Sequence, residues 1–248
     1  MAIFGLFLYK IAISERIKPP FAILSMIFLL TTRWGIDNAG LPLVEALYLV
    51  VIAAFARGLQ TNNLKLLAFS ILLGAMAKES FVFYLPLLGL IFIEKHQNDI
   101  AKSTQFSVFN KKNYFLSLLL FICLSATFCL ISRYYIDTIT GTNYAQETHN
   151  FVRHLDNIKT NALAALKPKG WFEAFSAVGL GGLVFVITLI IKDLRKIIFE
   201  IPLWAWAILA VAILQGLLGE WGRMLYYACP LYVIWLGKGI ERLADKAA

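Results

Sequence analysis

The chain has 248 residues, of which 60% are hydrophobic and 15% are charged, and its mean hydropathy is +0.72. Soluble domains carry about 25% charged residues, so this composition excludes an ordinary soluble domain and favours a polytopic membrane protein. The formal net charge of +8 comes with no nucleic-acid-binding signature. In a membrane protein such an excess is typical of basic cytoplasmic loops and of contacts with lipid headgroups.

Successive apolar runs along the chain predict the membrane spans. They cover residues 1–13, 20–32, 41–56, 64–77, 81–93, 114–132, 172–191, 201–219 and 224–237. Several are shorter than the roughly 20 residues that a helix needs to cross the hydrocarbon core, so their helices must extend into flanking residues. The predicted fold class is therefore all-α: a single membrane domain over 1–248, built as a transmembrane helical bundle of about nine spans. The pair 64–77 and 81–93 is alternatively a shallow hairpin.

The basic residues predict the sidedness of these spans. Fifteen of the 23 Lys and Arg residues lie in one alternating set of connections, and eight lie in the other. Since cytoplasmic loops carry the excess of Lys and Arg, the first set is predicted to be cytoplasmic, together with the C-terminus. The chain then begins outside, in a helix that Met1 cuts short. This arrangement predicts a C-terminal portion of a longer protein.

The segment 133–171 is the one long polar connection on the predicted external side. A helical stripe in it, spaced i, i+4, i+7 and i+11, consists of Phe151, Leu155, Ile158 and Ala162. The stripe predicts an amphipathic helix in the membrane interface, ended by Pro168–Gly170 and anchored by Trp171. The alternative is a solvated helix that only connects two spans. His149 and His154 do not share a helical face, so no metal site is predicted.

Two pairs of charges lie at predicted external helix ends. In "GAMAKESFVFYLPL", Lys78 and Glu79 either neutralise each other or hold a lipid phosphate, with the Glu orienting the ammonium. In "GEWGRMLYYACP", Glu220 and Arg223 are one helical turn apart and form either a structural salt bridge or a phosphate site, because Arg suits bidentate phosphate contacts. The recurrence of the same chemistry favours a shared anionic ligand.

A third external connection carries Arg33 and Asp37. Asp37 is the one acid in a short external loop that can act as a general base, although a carboxylate in a turn is more often a helix N-cap. Glu45 falls just inside the next predicted span. A carboxylate at that depth is costly, so it is expected either to reach the interface or to pair inside the bundle.

The stretch "LLAFSILLGAMAKESFVFYLPLLGLIFIEK" resembles part of the polytopic GT-C glycosyltransferases, which use polyprenyl-phosphate-linked sugars. The late span "LLGEWGRMLYYACPLYVIWLGKGIERL" and the earlier "LPLVEALYLVVIAAFARG" resemble the same family. The resemblance implies that Lys78, Arg223 and Arg33 bind the lipid phosphate, with Glu79 and Glu220 as supporting residues. It also implies an external loop that helps to cover the acceptor site.

The family's catalytic acidic motif has no counterpart here, because it would precede Met1. Asp37 is the substitute within this chain. No cofactor is evident, and a divalent metal would belong to the missing N-terminal part. The resemblance implies a bacterial inner-membrane enzyme whose partners are membrane lipids, a polyprenyl-phosphate-linked sugar and an external lipid, glycan or protein acceptor. The alternatives are an envelope polysaccharide polymerase or ligase, and a non-catalytic membrane subunit or lipid-phosphate binder that works with a partner subunit.

Overall fold

The computed structural model describes residues 1–40, 43–89, 151–218 and 221–247, together with short stretches between 116 and 139. These residues are helical and contain no strand, so the all-α prediction is confirmed for the part of the chain that they cover. The α-helices are α1 (Ala2–Ser14), α2 (Pro19–Leu30), α3 (Arg33–Gly40), α4 (Leu43–Thr61), α5 (Leu64–Ala77), α6 (Phe151–Ala165), α7 (Pro168–Val178), α8 (Gly181–Ile190), α9 (Lys196–Glu200), α10 (Leu203–Leu218), α11 (Trp221–Tyr226) and α12 (Cys229–Ala247). A 3-10 helix, Glu79–Leu87, follows α5.

The predicted spans and the helices agree in position but not in length. Within the described ranges, no helix taken alone combines the length and the apolar character that crossing a membrane requires. Helices α7 and α8 satisfy both criteria as a pair, but they are bent by 106°. The span predicted at 81–93 is described as far as 89 and is a 3-10 helix up to Leu87, and most of 114–132 lies outside the described residues.

The span predicted over 172–191 is divided into two helices, because the chain turns sharply between α7 and α8. Gly179 follows α7 with φ +59, a backbone conformation that residues other than glycine rarely adopt. A Cβ at this position would lie 3.0 Å from Thr32 Cγ2. The predicted amphipathic helix is present as α6, and it ends before Pro168 as expected. Pro168 then begins α7, as its fixed φ permits at a first helical position.

The core is formed by α4 and the first half of α12. On α4, Tyr48, Leu49 and the run from Val51 to Ala56 are buried, and on α12 the buried run extends from Cys229 to Gly237. Helices α1, α2 and α5 pack around these two and expose large apolar side chains outward, including Ile3, Leu6, Ile23, Ile27, Leu72 and Met76. The outward-facing sides of these three helices therefore carry many apolar side chains.

Charged side chains collect at the two ends of the bundle. Glu45 lies in the first turn of α4 and Arg57 lies in its last turns, 12 residues later, which places them about 18 Å apart along the helix. Lys78 and Arg223 contact Glu45 at one end, whereas Lys18 contacts Glu241 and Asp245 of α12 at the other. The sequence analysis places Lys78 and Arg223 in one set of connections and Lys18 and Arg57 in the other, so the two ends correspond to the two predicted sides. Which end faces the cytoplasm stays a prediction.

Candidate functional site

Glu45 is the centre of a cluster that brings together residues distant in sequence. Its Oε1 lies 3.1 Å from Lys78 Nζ and 3.6 Å from Arg223 Nη1. Its Oε2 accepts a hydrogen bond of 2.7 Å from the Tyr227 hydroxyl. Lys78 Nζ also donates to the Tyr227 oxygen at 3.2 Å, so one carboxylate holds two cations and a phenol. We call Glu45, Lys78, Arg223 and Tyr227 the Glu45 cluster.

Helix ends place the members of the Glu45 cluster. Glu45 is in the first turn of α4, where the helix dipole favours a negative charge. Lys78 is the extended residue at which α5 ends and the 3-10 helix begins. Arg223 lies on the short helix α11, and Tyr227 lies in the turn between α11 and α12. The cluster therefore depends on three chain segments, distant in sequence, that meet at one end of the bundle.

Two tyrosine rings frame the Lys78 ammonium. Its Nζ lies 5.5 Å from the centre of the Tyr48 ring and 5.4 Å from that of Tyr227, within the range of cation–π attraction. The two rings meet edge to face, with their centres 4.9 Å apart. Because the rings have fixed positions in the core, the ammonium is held in a defined place by interactions other than its pairing with Glu45.

A buried polar chain continues from Tyr48 away from the charges. The Tyr48 hydroxyl lies 3.1 Å from Ser80 Oγ, and Gln215 Nε2 donates to the Tyr48 oxygen at 3.1 Å and to the Ser80 carbonyl at 2.8 Å. Gln215 is 3% exposed, so these bonds are protected from water. They tie α4, the 3-10 helix and α10 together directly beneath the Glu45 cluster.

The Glu45 cluster is partly buried. Its side chains are 15%, 24% and 26% exposed for Glu45, Lys78 and Arg223 respectively. Partial burial weakens solvent screening, so the two cations attract an anion more strongly than the same charges would in water.

Arg33 and Asp37 form a second cluster beside the first. Arg33 Nε lies 3.6 Å from Asp37 Oδ2, and its Nη1 lies 3.6 Å from Glu173 Oε1 on α7. Its guanidinium also stacks on Trp34, whose Nε1 donates to Ser176 Oγ at 2.8 Å. The N-cap interpretation of Asp37 is wrong, because Asp37 lies inside α3 and pairs with Arg33 one turn before it.

The structure brings together two of the predicted phosphate-binding residues, Lys78 and Arg223. The acid that both contact is Glu45, and the predicted pairings with Glu79 and Glu220 stay predictions. Glu220 and the side chain of Glu79 lie outside the described residues. The roles predicted for Arg33 and Asp37 stay predictions. Among the described residues, no three His, Cys, Asp or Glu side chains are grouped to hold a metal ion.

The sequence indicates that a carboxylate at the depth of Glu45 is costly in free energy, but not that Glu45 lies at the centre of a cluster. The available signal was its depth, since a carboxylate inside an apolar segment is expected to find a partner. Tyr227 and Tyr48 gave no comparable signal, because aromatic residues are common throughout such a sequence. Their contribution depends on the packing of α4 against α12.

Comparisons with protein-family models, with curated proteins and with solved structures find no match to this chain. The activity and ligand implied by the resemblance to GT-C glycosyltransferases therefore depend on the sequence stretches quoted above.

Proposed function

We propose that this chain is an integral membrane protein of the GT-C glycosyltransferase type. It transfers a sugar from a polyprenyl-phosphate donor to an external lipid, glycan or protein acceptor. The observation that supports this proposal is the convergence of Lys78 and Arg223 at one end of the bundle, where both contact the carboxylate of Glu45. These are two of the three cations to which the family resemblance assigns the donor phosphate.

The chemistry of the Glu45 cluster suits a phosphate. A Lys ammonium acts as a compact point charge, and an Arg guanidinium presents a planar fork that matches two phosphate oxygens. Two cations held close together repel each other unless an anion lies between them. Glu45 supplies an anion that both cations contact and so keeps their side chains close together.

The reaction follows from this placement. The acceptor oxygen attacks the anomeric carbon of the sugar, and the bond between that carbon and the phosphate oxygen breaks. The electron pair leaves with polyprenyl phosphate, and Lys78 and Arg223 stabilise the negative charge that develops there. The acceptor's hydroxyl proton passes to a carboxylate base, for which the sequence predicts Asp37.

The outer surface of the bundle supports a membrane location. Large apolar side chains on α1, α2 and α5 are exposed, for example Ile3 at 61%, Leu6 at 51% and Met76 at 51%. A soluble monomer rarely exposes apolar patches of more than a few hundred Å². A hydrocarbon environment would cover these side chains, with the bacterial inner membrane as the proposed location and the C-terminus in the cytoplasm.

Binding of farnesyl phosphate to the purified chain in lipid nanodiscs tests the proposal. We expect Lys78→Met and Arg223→Gln each to weaken binding by about tenfold or more, because each removes a charged hydrogen bond worth about 1.5–3 kcal/mol. The matched controls are Lys65→Met, at the opposite end of α5, and Arg242→Gln, which is also ion-paired but with Glu200. Both controls should bind like the wild type, and equal binding by all variants would contradict the proposal.

A double variant separates a phosphate site from a purely structural ion cluster. Lys78→Met alone leaves Glu45 with one cation fewer and can destabilise the fold. Combining it with Glu45→Gln removes one negative charge together with the positive charge, so the net charge of the cluster is the same as in the wild type. The double variant should regain stability yet still bind farnesyl phosphate weakly, because the ammonium is absent. Recovery of full binding would show that Lys78 serves only to neutralise Glu45.

A second candidate is a non-catalytic lipid-phosphate-binding subunit. The observation that favours it is the same contact set, because both cations are already compensated in part by Glu45 and, for Lys78, by two aromatic rings. This candidate predicts binding of farnesyl phosphate without release of sugar from a farnesyl-phosphate-linked donor. Turnover of that donor by the purified chain would favour the transferase.

A further inference from the structure

A cleft of about 480 Å³ lies between α6, α7 and α11, beside the Glu45 cluster. Its volume is within the roughly 300–1,000 Å³ typical of sites for small molecules. Close backbone approaches form its walls: a Cβ on Gly170 would lie 2.3 Å from the Ala164 carbonyl oxygen, and one on Gly222 would lie 2.7 Å from Glu173 Oε2. The α6 wall is joined to α10 by a hydrogen bond of 2.9 Å from Asn161 Nδ2 to the Leu217 carbonyl.

The cleft is positively charged. Lys167 and Lys169 line it, and both are exposed at its rim. Among the described residues of its lining the one acid is Glu173, and the Arg33 guanidinium lies 3.6 Å from it. The first turn of α7, which forms part of the wall, adds the positive end of a helix dipole. The charge balance therefore favours a ligand with an anionic group.

The cleft also has an aromatic wall. Trp221 lines it, and its ring packs closely on Gly216: a Cβ on Gly216 would lie 2.8 Å from Trp221 Cε3. The face of an aromatic ring carries partial negative charge and packs well on polarised C–H groups, such as those of a sugar. Lysines around a tryptophan, with a carboxylate and an amide nearby, are a set of groups that suits a sugar bearing phosphate or carboxylate.

One helix connects the cleft to the Glu45 cluster. Trp221 and Gly222 line the cleft, and Arg223, the next residue of α11, contacts Glu45. We propose that the cleft binds an anionic sugar, such as a sugar phosphate. Its identification as the acceptor of the transfer rests on the proposed function. The same chemistry is offered by a soluble sugar phosphate and by the headgroup of a phosphorylated glycolipid.

Titration with glucose 6-phosphate tests the cleft, using the full chain in nanodiscs and thermophoresis as the readout. We expect binding by the wild type and at least a tenfold loss in the double variant Lys167→Ala/Lys169→Ala. Both lysines are exposed, so their removal should leave the fold intact. Glucose and inorganic phosphate, each lacking one half of the ligand, should bind at least tenfold more weakly than glucose 6-phosphate.

The matched control is Lys159→Ala, an exposed lysine on α6 that does not line the cleft. It should bind glucose 6-phosphate like the wild type. The proposal is overturned if glucose 6-phosphate does not bind to the wild type, or if the double variant and the control bind it equally. An octyl glucoside 6-phosphate distinguishes the two sources of ligand. Tenfold tighter binding than glucose 6-phosphate indicates a lipid headgroup, and equal binding indicates a soluble sugar phosphate.

The donor experiment keeps this inference separate from the proposed function. Farnesyl phosphate should bind normally to Lys167→Ala/Lys169→Ala, and glucose 6-phosphate should bind normally to Lys78→Met. Loss of glucose 6-phosphate binding by every protein, with farnesyl phosphate still bound, would remove the cleft proposal alone. The opposite result would leave an anionic sugar site in a chain that does not bind the donor.

Discussion

The two ends of the bundle carry ionic clusters of different construction. At one end, Glu45 is shared by Lys78 and Arg223, and all three side chains are less than a third exposed. At the other end Glu241 is as buried as Glu45, but Asp193, Glu200 and Asp245 are 41–68% exposed and meet their cations at the surface, as in Lys246 with Asp193, whose side chains are 48% and 68% exposed. Exposed pairs contribute about 0–1 kcal/mol each, whereas breaking a buried pair costs several kcal/mol.

The difference indicates which end is organised for a ligand. The surface pairs help to join α12 to the connections before α2 and after α8, and solvent already satisfies much of their charge. The Glu45 cluster holds two cations where water reaches poorly, next to a cleft lined by two further lysines. Cations kept together in this way suit a phosphate, which supports the proposed ligand at this end.

Replacement of the shared acid should have the largest effect on stability. Glu45→Gln removes the carboxylate that Lys78 and Arg223 share, and we expect a loss of about 2–4 kcal/mol. Thermal unfolding in detergent measures it. The control is Glu200→Gln at the opposite end, which contacts Lys238 and Arg242 but is 41% exposed, and it should cost about 1 kcal/mol or less. Equal losses would show that the two ends are energetically alike.

A pair of tyrosine variants tests the hydrogen bonds of the Glu45 cluster. Tyr227→Phe removes the hydroxyl that donates to Glu45 at 2.7 Å and accepts from Lys78 at 3.2 Å. We expect a loss of about 1–3 kcal/mol, because charged groups lose a buried partner. Tyr84→Phe is the control, since the Tyr84 hydroxyl is buried and has no hydrogen-bond partner among the described residues.

Removal of the Tyr84 hydroxyl should be neutral or stabilising, because a buried donor without a partner is itself a cost. Chemical denaturation in detergent measures both variants. If the two tyrosine variants lose equal stability, the hydroxyl of Tyr227 contributes through packing and not through its contacts with charge.

Much of this architecture could be predicted from the sequence, because hydrophobic runs and breaks are local signals. The positions of α1, α2, α4, α5 and α10 follow the apolar runs, and the grouping of Lys78 with Arg223 follows the alternation of basic connections. The break at Gly179 was missed, because a glycine in an apolar run does not by itself indicate φ +59. The location of Glu45 between both cations depends on long-range packing, which no local pattern encodes.

Replacement of Asp193 in the surface pair Lys246–Asp193 should have the smallest effect on stability, and this effect should depend on pH. The Lys246 ammonium, 3.0 Å from Asp193 Oδ2, lowers the pKa of that carboxyl below its usual 3.8. A lowered pKa in the folded state means that the pair stabilises the fold above pH 3.8 and that this contribution is lost as pH falls through the lowered pKa. Asp193→Asn should therefore reduce the melting temperature slightly at pH 7 and match the wild type at the acid end of the titration.

The difference at pH 7 should shrink in 1 M salt, because screening acts strongly on exposed charges. A difference that persists in high salt and at low pH would place Asp193 among the residues that stabilise by packing, and the contrast between the two ends would then weaken.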